Sequence, residues 1–359
     1  MRFLPVSENE CERIAFILKL QPMFIVNSYA LAVLFCFITM MCWGSWGNTQ
    51  KLVSKNWRYE LFYWDYVIGM VLFTVLLGLT MGSHGAEGRP FCEDLAQTSG
   101  SAIGWVILGG VIFNASNILL SASISLAGMA VAFPLGVGLA LVLGVIVNYI
   151  GVPAGNPYLL FGGVALVVIA IICNGVASGK MPRSGEGDSQ SVRRKGIIIA
   201  LIAGVLMSLF YRFVVMGMDV TDFANPQPGM LTPYGAIFIF SIGVLLSNFV
   251  FNTLAMRFPF TGQPVGYGAY FKGSVSTHLC GMLGGAIWGL GTAFSYIASG
   301  EAGPAVSYAL GQGAPMIAAI WGVFIWKEFK GAPAVVSKLL AAMFVLFLAG
   351  LAMIVWAGN

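Results

Sequence analysis

Inside the long apolar stretches of this chain, a handful of residues carry hydrogen-bonding or titratable groups, and their spacing gathers several of them on common faces. Asn114 and Asn117, three residues apart, share one face of a helix, as do Tyr308 and Gln312, four apart. Amides offer both donors and acceptors, which suits recognition of a neutral polar solute; hydrogen bonding between helices accounts for them equally well. Trp43, Trp46, Asn48 and Gln50 close the first apolar stretch and could wall a pocket for a flat or ring-shaped polar solute. The same residues with Lys51 also read as an interfacial aromatic belt with a snorkelling lysine. Asp65 follows Tyr63 and Trp64 and precedes Tyr66, roughly one turn inside the second stretch. A carboxylate there could load and release a proton, or could pair with Arg58 or Lys51 to fix the helix end. Glu301 is the second candidate for proton exchange and reads equally as an interfacial residue.

Covalent chemistry finds no support. The chain has no GxxxxGK[ST] loop and no GxSxG turn, so neither an ATPase nor a membrane hydrolase is indicated. Its six cysteines show no CxxC spacing and its two histidines, His84 and His278, are far apart, so no metal site, disulfide framework or cofactor is expected. Gly281, Gly285 and Gly289 recur at intervals of four and offer a bare helix face for close packing, with no chemistry of their own.

The elements that must position these groups follow from composition. Only 9% of the 359 residues are charged, 58% are hydrophobic, and mean hydropathy is +0.87. A soluble domain carries about 25% charge, so this chain cannot build a water-facing surface. Its apolar residues fall into ten blocks near 28–48, 61–81, 102–124, 128–150, 158–178, 196–218, 234–255, 276–298, 303–326 and 335–357. Each has about the length that a hydrocarbon core of ~30 Å requires. The fold class is therefore all-α integral membrane, multi-pass, as in a cell-membrane protein, with lipid as its surroundings. The net charge of +4 sits in loops and excludes nucleic acid as a partner. Residues 1–27 read as an N-terminal tail, with Met23 as an alternative start.

Loop charge orients the spans. Thirteen basic residues, from Lys51, Lys55 and Arg58 through Arg193, Arg194 and Lys195 to Lys338, fall on one side, and Arg89 stands alone on the other apart from the tail. The excess places the 179–195 connector in the cytoplasm and the N-terminus outside. An internal repeat then divides the chain. Residues 127–138 read AGMAVAFPLGVG and residues 302–313 read AGPAVSYALGQG, seven of twelve positions being identical. Gly109-Gly110 and Gly284-Gly285 keep the same separation of 175 residues. Five spans per half is an odd number, so the second copy (196–359) enters the membrane inverted relative to the first (28–178). Inverted repeats are a recurrent design of carriers, in which the halves exchange conformations to give alternating access.

Ten spans in two inverted five-helix halves resemble the drug/metabolite transporter superfamily, and within it the ureide permease family, with the glucose/ribose porters as relatives. Trp43-Gly-Ser-Trp resembles that family's Gly-Thr-Trp, and Tyr63-x-Asp65-Tyr66 its Tyr-x-Asp-Tyr. Gly109-Gly110-Val111, Asn117 and Asn148-Tyr149 follow in order, then Glu301-Ala-Gly303-x-Ala305, Pro315, Trp321-Gly-Val and Glu328-Phe329. The plant members' longer cytosolic centre, with its nucleotide-binding-like stretch, has no counterpart in the short connector here. The resemblance implies proton-coupled uptake of ureides or related oxo-purines and pyrimidines. Sugar porters, of pentoses or hexoses, and drug or metabolite exporters share the scaffold and stay open, as does a homo-oligomer.

Overall fold

The computed structural model describes residues 22–53, 57–181 and 190–359. Most of the expected tail, most of the 179–195 connector, Lys55 and Arg183 lie outside these residues. Ten helical spans are long and apolar enough to cross a membrane: Tyr29–Leu52, Tyr59–Ser83, Gly100–Ala127, Pro134–Gly151, Pro157–Gly179, Gln190–Met216, Pro233–Arg257, Val275–Ala302, Pro304–Ile325 and Ala334–Ala357, here spans 1 to 10. Exposed Leu72, Leu76, Phe249, Val345 and Leu348 give them apolar outer faces, as lipid contact demands. Met23 is fully buried and bridges to Glu87, so the residues just before span 1 are part of the packed structure.

Helix starts follow local chemistry. Ser28, Ser99 and Ser274 accept from the backbone N–H three residues on, and Asn156 caps span 5 ahead of Pro157. Spans 3 and 8 are built alike. Each has 28 residues, begins after a capping serine, and ends at a glycine in the same unusual conformation, Gly128 (φ 78°, ψ 153°) and Gly303 (φ 76°, ψ 151°). A side chain at either would be strained, which explains the repeated Ala-Gly.

Their packing is alike too. A Cβ on Gly110 would strike the Phe240 carbonyl oxygen, and one on Gly285 would lie 1.8 Å from that of Tyr66. Span 3 therefore packs backbone to backbone on span 7, and span 8 on span 2. Ser116 donates to the Ala203 carbonyl at 3.0 Å, joining span 3 to span 6; Thr39 donates to that of Gly291 at 2.7 Å, joining span 1 to span 8. The third span of each half thus rests on the first and second spans of the other.

Spans 4 and 9 break this likeness. Span 4 runs in one helix, Met129–Gly151. Span 9 is helical over Pro304–Gly311, turns at Gln312-Gly313, resumes over Ala314–Ile320, and ends in a π-turn over Trp321–Ile325.

Candidate functional site

A vestibule of about 930 Å³ enters the protein from the side that carries the basic loops, with Lys51, Arg58, Thr261 and Glu328 in its lining. At its inner end lies a pocket of about 160 Å³. Gly44, Trp46, Asn117, Leu120 and Ala318 line both, so the two are continuous.

The pocket draws on both halves at matched positions. Phe113 and Trp288 are 175 residues apart and touch one another, with ring centroids separated by 4.4 Å. Val137 and Gln312, and Ala140 and Pro315, keep the same separation and also line it. From the first spans of the two halves come Trp43 with Met207 and Trp46 with Phe210, each pair 164 apart. Trp46 leans on Tyr66 at 4.7 Å just as Phe210 leans on Phe240 at 5.9 Å. Among the described residues the lining holds no ionisable side chain. Its polar groups are the Asn117 and Gln312 amides, 7% and 8% exposed, with the indoles of Trp43, Trp46 and Trp288 around them. Such a site can hydrogen-bond and stack a neutral solute but has no counter-ion for a charged one.

The pocket residues are held from behind. Asn117 donates to the Tyr63 hydroxyl at 3.1 Å, and Tyr63 donates to Asn114 at 3.0 Å. The Trp43 indole donates to Thr292 at 2.9 Å. Beyond the pocket, on the side away from the basic loops, Phe113, Phe210, Phe240 and Trp288 pack ring on ring and meet Tyr211, Tyr296 and Tyr308. Further out, Arg89 donates to Asp94 (3.0 Å) and to the carbonyls of Pro226 (2.6 Å) and Met230 (3.1 Å), while Asp94 accepts from the backbone and hydroxyl of Thr232. These bonds stitch the loop before span 3 to the loop before span 7. Burial pushes the Asp94 carboxyl up to about 6, against the opposing pull of Thr232 and Arg89. The protein is open on the basic side and closed on the other.

Among the expected site residues, Trp43, Trp46, Asn117 and Gln312 meet at the pocket. Asn48 stands in the vestibule, where it accepts from Trp326 at 2.6 Å. Asn114 does not line the cavity: fully buried, it is occupied by Tyr63, Ser247 and the Val244 carbonyl. Tyr308 is likewise fully buried behind the lining and donates to the Ala140 carbonyl at 3.2 Å. The break at Gln312 removes the continuous face that was expected to carry both it and Tyr308. Asp65 is fully buried between spans 2 and 8, outside the cavity lining. Its partners are His278, whose Nδ1 lies 2.9 and 3.0 Å from the two carboxylate oxygens, and the Tyr270 hydroxyl at 2.5 Å. The expected partners are engaged elsewhere, Lys51 with Glu328 and Arg58 with Glu60 and the Gln263 carbonyl. Burial and the adjoining Asp65 push the Tyr270 phenol up, so it donates as a neutral hydroxyl. Glu301 is exposed at the end of span 8.

Sequence reasoning missed Trp288, Met207 and His278. The first two were reachable, because each stands at the repeat counterpart of an aromatic residue. His278 gives no signal, since only the fold brings it to Asp65.

Residues 188–357 match a family model described as Ureide permease. Ureide permease 1 and Ureide permease 2 of Arabidopsis thaliana are 20% and 21% identical to this chain, over 92% of it and 98% of each relative. A Staphylococcus aureus protein named Probable glucose uptake protein GlcU is 26% identical over 58% of this chain and 63% of its own. A solved structure titled only Crystal structure of protein has a TM-score of 0.56 at 16% identity, over 90% of this chain and 97% of that one, and so shares the fold. The resemblance to the ureide permease family thus holds along nearly the whole chain.

Proposed function

We propose that this ureide-permease-like protein, a multi-pass membrane transporter and not an enzyme, carries a small neutral ring-shaped solute such as a ureide, oxo-purine or pyrimidine by proton-coupled alternating access. The observation that carries this reading is the pocket itself: matched positions of both halves line it, and amides with indole faces supply its only polar groups. A cavity on the axis relating inverted halves is where carriers hold their substrate. A flat oxo-base fits two amides and three indoles; a drug cation would lack the carboxylate it needs there. The sealed outer side and open vestibule correspond to one end state of the cycle, and the equal packing of spans 3 and 8 supports a two-fold rotation that exchanges it for the other. In the coupling step Asp65, held by His278 and Tyr270, holds the proton; Glu301, exposed at a helix end, has no comparable setting.

A sugar is the second reading. It is favoured by the glucose uptake relative and by indole faces, on which the C–H faces of a hexose also pack. Uptake of labelled allantoin, uracil, pentoses and hexoses into vesicles, with and without a protonophore, separates the two. Saturable uracil or allantoin uptake that collapses with the protonophore is the expected result. Saturable hexose uptake with neither base carried would sink the first reading.

A further inference from the structure

The closed side of the molecule holds polar groups that no described neighbour satisfies. Arg212 lies half-buried within span 6, and among the described residues no carboxylate is in salt-bridge reach of it. Its expected partners serve their own loop instead: Asp219 accepts from Thr221 and Gln227, and Asp222 from Ala224 and Asn225. The guanidinium packs on Gly151, where a Cβ would fall within 2.2 Å of it. One turn earlier on span 4, Asn148 is fully buried; its amide donates to the Gly144 carbonyl at 2.8 Å, but its Oδ1 has no partner. The Tyr296 hydroxyl, also fully buried, has none either, and its ring lies 5.1 Å from that of Tyr211, the neighbour of Arg212. Groups of this kind are costly inside a membrane protein unless another state satisfies them.

Their repeat counterparts identify that state. Arg212 stands 164 residues after Asn48, Tyr296 stands 175 after Ser121, and Gly151 stands 175 before Trp326. Asn48, Ser121 and Trp326 all line the open vestibule, and the Asn48–Trp326 hydrogen bond occupies the place that the Arg212–Gly151 contact takes on the other side. When the halves exchange roles, the second set becomes the lining.

We propose that Arg212, Asn148 and Tyr296 form a second solute-contact site, lining the vestibule that opens away from the basic loops and taking the carbonyl or oxyanion edge of the incoming solute. The guanidinium and phenol donate to an oxygen, and the Asn148 carbonyl accepts from a ring N–H or hydroxyl. The site rests on the transporter reading and on exchange between the halves. It also makes the two vestibules chemically unequal, because the counterpart of Arg212 is a neutral amide.

The test compares right-side-out with inside-out vesicles, using labelled uracil as the probe. Arg212→Gln should raise KM about tenfold for transport from the face opposite the basic loops, while KM from the basic face moves by less than about twofold. Arg212→Lys should restore part of the loss. An equal rise from both faces, or none, overturns the proposal. A second arm needs no transport: with native cysteines replaced, Tyr296→Cys and Arg212→Cys should react with an impermeant thiol reagent from that same face at least about tenfold faster than Leu160→Cys in span 5. Equal rates overturn the proposal. If the protein carries neither uracil, allantoin nor glucose, the substrate reading fails, and the labelling still decides whether this vestibule exists.

Discussion

Spans 4 and 9 start from the same glycine conformation and share a Gly-x-Gly at matched positions, Gly136-Val137-Gly138 and Gly311-Gln312-Gly313, yet only span 9 is broken. The glycines therefore do not cause the break. Proline placement does: Pro134 falls near the start of its helix, whereas Pro315 follows the Gly-x-Gly and cannot donate back to Gly311. A broken backbone at membrane depth is tolerated where it lines a cavity, and here it carries Gln312 to the pocket wall, where span 4 offers Val137. The same contrast runs through the molecule. The two halves supply equivalent frames, and one member of each matched pair carries the polarity: Gln312 against Val137, Trp43 against Met207, Trp46 against Phe210. Symmetry builds the cavity, and departures from symmetry give it a chemistry.

The contrast breaks most sharply if the polar members are levelled. Gln312→Val would make span 9 match span 4, and Asn117→Leu would strip the other amide. Each should lower kcat/KM for the carried solute about 100-fold, the size expected when one or two buried hydrogen bonds to a polar substrate go unmade. Expression and membrane insertion should hold. Transport at the normal rate by both variants would remove the amides from the site.

A second contrast concerns the ends of spans 2 and 8. At the basic side they are pinned by Asp65 and His278; the matched positions of spans 7 and 3, near the other side, are Ile239 and Ile103. If the pair holds the coupling proton, Asp65→Asn and His278→Gln should each lose proton-driven accumulation, about tenfold or more, while retaining exchange down a gradient. A merely structural pair would instead lower expression and both transport modes together. With only two histidines in the chain, imidazole NMR on a His84→Gln background reads the titration of His278 directly.

Asn114 and Asn117 sharpen the comparison at smaller scale, because one span presents one amide to the scaffold and the other to the cavity. Asn114→Ala leaves Ser247 and Tyr63 without their partner and should cost about 1–3 kcal/mol of stability, with KM little changed in the protein that survives. A rise in KM without loss of stability would return Asn114 to the binding site.

The smallest effect is expected at the outer stitching. The Asp94 carboxyl is raised to about 6 in the folded protein, so its contribution is fully present below about pH 4 and is lost as pH rises through about 6. The melting temperature in nanodiscs should fall by about 2–4 °C across that window, and Asp94→Asn should flatten the dependence. An unchanged slope in the variant would assign the effect to another group.

Sequence alone determined the ten spans, because apolar length is an additive property that no tertiary contact overrides in a bilayer. It determined the equivalence of residues 127–138 and 302–313 and, through that, which glycines end spans 3 and 8. It also placed Trp43, Trp46, Asn117 and Gln312 among the residues that matter, since polarity inside an apolar block is visible without coordinates. Which of two neighbouring amides meets the cavity was decided only by the tertiary structure. Asn114 and Asn117 look alike to any periodicity, and the packing of spans 2 and 7 against span 3 assigns one to Tyr63 and Ser247 and leaves the other at the pocket. The same holds for Asp65, whose partner lies 213 residues away on span 8. Proximity in the chain pointed to Arg58 and Lys51, but each is drawn off to a nearer carboxylate in space, and helix packing across the two halves brings His278 to the buried one.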